Sequence, residues 1–142
     1  MKKKLLILSL ALCTVSLIGA GCTKISDKNT EPVIVVTDQD LTKTSQITVK
    51  NASISENGWV VIYNKESGQK GAVLGYAPLA AGTDSRIKII IDKTKVTPSL
   101  VAVLHYDRGQ KDVFEFPGSD GPVFKDQKLI EQEFTILNQG SL

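Results

Sequence analysis

Between residues 33 and 137 the apolar residues come as short β-prone runs about every ten residues, and no window of eleven or more shows helical periodicity. The runs are 33–36, 46–49 (continued by Ile54), 59–63, 72–76, 87–91, 100–104, 113–116 and 132–137. Turn-forming residues separate them: Glu56-Asn57-Gly58, Glu66-Ser67-Gly68, Ala81-Gly82-Thr83-Asp84, Asp107-Arg108-Gly109, and Pro117 to Pro122. Residues 125–133 mix charges without an apolar stripe. Strands with no helices to carry the chain between parallel neighbours must pair antiparallel. About eight such strands bury their apolar sides best as two sheets packed face to face. The expected fold is therefore all-β: an antiparallel β-sandwich of immunoglobulin-like or Greek-key type, with a closed barrel as the alternative. Its expected core is Trp59, Val61, Ile89, Ile91, Val101, Val103, Phe114, Phe116, Phe134 and Ile136.

Ahead of this body stands MKKKLLILSLALCTVSLIGAGC: three lysines, an apolar run from Leu5 to Ile18, small residues 19–21, then Cys22. The run is shorter than the roughly 20 apolar residues a membrane span requires. Lysines, apolar core and small residues are the three parts of a cleaved export signal. A thiol just after the cleavage point is what lipid attachment to the new N-terminus needs. Residues 1–21 thus resemble a bacterial lipoprotein signal peptide, with Cys22 as the lipidated first residue. Residues 22–32 form a polar tether closed by Pro32, and 33–138 the sandwich. The expected location is extracytoplasmic: lipid-anchored to the outer face of the cell membrane or, in a two-membrane host, to the outer membrane.

Removing residues 1–21 from the 142 leaves 121, enough for one domain with a single core. The chain holds 17 basic and 15 acidic residues; without Lys2, Lys3 and Lys4 the balance is 14 to 15. The exported chain is close to neutral, so nothing in its charge points to nucleic acid. Cys13 also leaves with the signal, and with Cys22 lipidated no thiol remains for a disulfide, a nucleophile or a soft metal ligand. No cofactor is implied.

Four segments in order carry a family resemblance: residues 58–62 (GWVVI), 73–82 (VLGYAPLAAG), 100–107 (LVAVLHYD) and 114–123 (FEFPGSDGPV). Together they resemble an uncharacterised surface domain of secreted and cell-envelope proteins in halophilic archaea and bacteria. The resemblance runs from roughly Ile34 to Ile136. It implies a β-rich fold and a surface location, and supplies no catalytic residues.

His105 is the only histidine, placed between an apolar strand and the Asp107-Arg108-Gly109 turn. Copper or catalytic zinc needs further nitrogen or sulfur ligands, and no G-x-S-x-G nucleophile motif accompanies it. Its expected role is to hydrogen-bond at a strand end and organise the turn, with a hydrolase using His105 as the least supported reading. Asp38, Asp40 and Asp107 are candidate calcium ligands if their loops converge, although turn aspartates ordinarily cap backbone amides. Tyr76, His105 and Tyr106 are the candidate binding surface, both tyrosines being expected at strand ends, while Trp59 is expected in the core. Asn51-Ala52-Ser53 matches a glycosylation sequon without meaning in a bacterial lipoprotein. The expected function is a non-catalytic binding or structural module of the cell envelope, engaging an envelope protein or glycan; the alternative is a calcium-stabilised adhesion module.

Overall fold

A computed structural model describes residues 30–138. The signal segment, Cys22 and the tether up to residue 29 lie outside the described residues. Ten strands follow in order: β1 (Val33–Val35), β2 (Gln39–Asp40), β3 (Gln46–Ile54), β4 (Gly58–Glu66), β5 (Gln69–Leu79), β6 (Gly82–Ile90), β7 (Ser99–Tyr106), β8 (Phe124–Lys125), β9 (Lys128–Leu129) and β10 (Glu131–Asn138). Three form one sheet in the order β1-β3-β6, and five form the other in the order β2-β10-β7-β4-β5. β8 and β9 make a separate hairpin.

The sandwich is immunoglobulin-like. β3 pairs antiparallel with β6 in one sheet, β4 with β7 and β5 in the other, and the first strand is split between the two. β1 runs antiparallel to β3, then the chain crosses over and β2 lies parallel to β10. Two glutamine side chains satisfy the main chain at this crossing. Gln39 accepts from Thr48 N (2.8 Å) and donates to Thr48 O (3.0 Å), standing in for a strand where β1 has left β3. Gln132 does the same for Val36, accepting from its N at 3.1 Å and donating to its O at 2.8 Å.

Side-chain alternation divides the buried residues into two groups. Val60, Ile62, Leu100, Ala102, Leu104, Phe134 and Ile136 face the three-stranded sheet and meet Ile47, Val49, Ile87 and Ile89. Trp59, Val61, Tyr63, Val101 and Val103 point the opposite way, onto the outer face of the five-stranded sheet, yet are as deeply buried. β4 is consequently buried on both sides from Gly58 to Asn64. Its outer side is closed by Phe114 and Leu129, which arrive from beyond β7.

The fold class is as expected, with three corrections. The count is ten strands, because β2, β8 and β9 were not legible as strands and 113–116 is not one. Val113 N bonds to Gln110 O in a turn and Asp112 has φ of 63°. β7 is already flanked by β4 and β10, so this segment crosses a sheet face and has no edge to join. Phe114 and Phe116 accordingly leave the core: Phe114 is half-buried and Phe116 is 38% exposed. Finally, Gly82 opens β6 rather than ending in a turn, at φ of 111°.

Candidate functional site

Residues 107–123 leave the end of β7, fold across the outer face and return to the same strand. Val123 N bonds to Leu104 O at 2.8 Å, Tyr106 N to Gly121 O at 3.0 Å, and Pro122 lies bridged to His105. One carboxylate organises the crossing. Asp120, fully buried, accepts from Arg108 N (2.9 Å) and Gly109 N (3.3 Å) on one oxygen and from Glu115 N (2.8 Å) on the other. Burial alone would raise its pKa, but these amides and the nearby Trp59 indole N–H, which falls short of hydrogen-bond geometry, leave it below the ordinary carboxylate value. Asp120 is therefore held as an anion inside the loop. A Cβ at Gly109 would lie 2.8 Å from Ser119 Cβ as well as against the Glu115 carboxylate, so a side chain there would have to displace part of the loop.

The loop lays two phenylalanines on the sheet. Phe114 stands at the centre of a ring cluster, with centroids 5.7 Å from Trp59, 4.6 Å from Tyr76, 5.7 Å from His105 and 6.3 Å from Phe116. Phe116, whose peptide bond to Pro117 is cis, meets His105 edge-on at 4.8 Å. Aromatic edges and faces at these separations attract beyond their burial.

His105 is 1% exposed and both ring nitrogens are occupied. The Asp120 carbonyl can only accept, so Nδ1 carries the proton and donates to it at 2.8 Å. Nε2 then accepts from the Tyr63 hydroxyl at 3.0 Å. Burial lowers the His105 pKa, and burial raises that of Tyr63, so both stay neutral near pH 7. The residue does what its strand-end position suggested: it joins β7 and β4 to the loop.

Beside this pair lies an open pocket of about 260 Å³. Tyr63, Val103 and His105 make its floor, Phe116 and Pro122 one wall, and Lys70 from β5 the other. Lys70 reaches across the face to Glu131 of β10, Nζ to carboxylate 2.7 Å, both side chains more than a third exposed. Lys65 and Glu133 make a second, parallel pair. The pocket is thus aromatic within and neutral in sum at its charged rim.

Of the residues singled out from the sequence, Tyr76 and His105 come together here, both touching Phe114. Tyr76 is half-exposed and lies within β5, not at its end. Tyr106 faces the other way, packed on the inter-sheet core with the Arg108 guanidinium 3.9 Å over its ring. Asp38 and Asp40 sit near the Ser99 end of β7, Asp107 beyond its Tyr106 end. Eight residues of strand, roughly 26 Å, separate them. Each caps local groups instead: Asp38 accepts from Thr135 N (2.8 Å), Asp40 from Thr42 N (2.7 Å) and Asn138 (3.0 Å), and Asp107 from Asp112 N (3.1 Å). Asp40, held by Thr42 and Asn138, ionises at a pKa of about 2. Among the described residues no group of three or more His, Cys, Asp or Glu is placed to hold a metal ion. Sequence reading missed Tyr63, Lys70 and Phe116 as pocket residues, and Glu131 as the partner of Lys70 beside them. The one available signal was the Phe-x-Phe pair at 114 and 116 beside a turn-rich segment, where a strand had no room to form.

The chain is a member of the family described as a domain of unknown function (DUF7282), whose profile matches residues 32–136. No curated protein and no solved structure matches it.

Proposed function

We propose that this protein is a lipid-anchored, extracytoplasmic binding module of the cell envelope, non-catalytic, with its ligand site in the outer-face pocket. The carrying observation is that pocket: open, aromatic, and walled by a loop whose buried Asp120 is held to the sheet by His105 of β7. A preformed concave site with an apolar lining and few polar groups is the usual form of a small-ligand site. The address is supported by residues 1–22, where an apolar run too short to span ends in small residues and Cys22. The polar residues 23–32 would supply the tether between that lipid and the folded body.

Two measurements test this. Cys22→Ser should move the protein from the membrane fraction to the medium; retention in the membrane ends the lipid-anchor reading. Amide chemical shifts of the full exported chain, titrated with a fragment library, should move at Lys70, His105 and Phe116. A library that moves none of them removes the pocket as a ligand site.

A further inference from the structure

Resting on the pocket reading above, we infer that the ligand is a neutral glycan, with one sugar ring in the pocket and its neighbours along the exposed aromatic strip. Size limits the occupant first. An apolar cavity of about 150 Å³ holds benzene and drug-sized ligands take about 300–1,000 Å³, so 260 Å³ admits one ring with its substituents. The lining then asks for a ring with two characters. Phe116 and Pro122 offer apolar surface, 38% of Phe116 being exposed. The polar groups in reach are of mixed kind. Tyr63 donates its hydroxyl proton to His105, which leaves its oxygen as an acceptor. At the rim, the Lys70 ammonium has donors beyond the one spent on Glu131, and the Glu131 carboxylate has a second oxygen.

Charge decides against ions. A ligand carboxylate on the spare Lys70 donors would set a second negative charge beside Glu131 with one cation between them, and a ligand ammonium on Glu131 would set a second positive charge beside Lys70. A hydroxyl gives and receives hydrogen bonds and can serve both partners while they stay paired. A plain aromatic ring would fill the apolar wall and use none of the spare hydrogen-bonding positions of the Lys70–Glu131 pair. A pyranose ring, with an apolar face and hydroxyls around its edge, fits both. The surface continues in the same sense: Phe114 lies 6.3 Å from Phe116 and 4.6 Å from Tyr76, which is 49% exposed. This gives a run of aromatic rings leading out of the pocket, whose exposed parts further sugar units can contact.

The test uses the full exported chain, followed by amide chemical shifts. The probes are cello-, malto-, manno- and chito-tetraose at about 10 mM, a level that reveals weak single-site binding, with phenol and indole beside them. At least one tetrasaccharide should move Lys70, His105 and Phe116. Phe116→Ala and Lys70→Met should each weaken that binding about tenfold, while Tyr106→Phe, on the opposite face, leaves it unchanged. Lys70→Met keeps the side-chain stem and tests the rim even if Phe116→Ala disturbs the loop. If phenol or indole moves the pocket residues and no saccharide does, the glycan inference is overturned and the pocket remains a ligand site. If saccharide shifts fall elsewhere on the molecule, the inference also fails. Silence from both classes overturns the pocket reading with it.

Discussion

Tyr63 on β4 and His105 on β7, 42 residues apart in the chain, share a buried hydrogen bond of 3.0 Å that ties two central strands to the loop above them. His105 passes the connection on to the Asp120 carbonyl, so strand, strand and loop are joined through one imidazole. Tyr63→Phe keeps the ring and removes only the donor to Nε2. A buried acceptor left unpaired costs about 1–3 kcal/mol. Urea denaturation of the variant should show a loss in that range at pH 7, and an unchanged midpoint would mean that the bond contributes nothing.

The same histidine makes stability depend on pH. Burial lowers its folded pKa from the ordinary 6.5. The unfolded chain therefore takes up a proton near 6.5 while the folded chain does not, and stability falls as pH drops from there towards the lowered value. His105 is the chain's only histidine, so between pH 7.5 and 5.5 the slope is its own, at most about 1.4 kcal/mol per pH unit. His105→Gln should flatten it. A slope that persists in this variant assigns the effect elsewhere.

Asp120→Ala strips the acceptor from three backbone amides at once. The expected cost is about 2–4 kcal/mol, with Asp120→Asn, which keeps one acceptor oxygen, losing less. Hydrogen exchange should accelerate at Arg108, Gly109 and Glu115 while the amides of β3 and β6 keep their protection. Uniform acceleration would show that the loop and sandwich open together.

Gln39→Ala and Gln132→Ala each remove two bonds from main chain at the sheet crossing. Each should cost about 1–2 kcal/mol, and the two should add, because they serve different strands. Thermal melts of the single and double variants read this directly; strong non-additivity would place both on one cooperative unit.

Calcium should leave the melting temperature where it is. Asp38 and Asp40 lie a strand's length from Asp107, and all three spend oxygens on local groups. Millimolar calcium and a chelator should give the same melting curve. A calcium-dependent rise abolished by Asp38→Ala would restore the ion site.

Much of the sandwich was legible because its signals are local. The alternation in Trp59-Val60-Val61-Ile62-Tyr63 says that both faces of that strand are apolar, and β4 is indeed central and buried on both. The Ser67-Gly68 hairpin shows in residues that accept φ of 49° and 81°. The Phe114–Phe116 run misled for the opposite reason: its composition is that of a strand, and what forbids one is the lack of a free edge beside β7.

The sequence by itself determined what alternation and turn chemistry can determine: an antiparallel all-β body, its approximate strand positions, and a histidine that serves a strand end. Which of two equally apolar faces meets the other sheet is a matter of partners, and only the tertiary structure decided it. Val60 and Ile62 went to the core between sheets, and Trp59, Val61 and Tyr63 to a second core under a loop. The pocket belongs to the same class of fact. Tyr63, Lys70, His105 and Phe116 come from β4, β5, β7 and the loop, and Glu131, paired with Lys70 beside them, from β10. Periodicity acts within a strand, whereas a site drawn from separate segments exists only once strand order has placed them side by side.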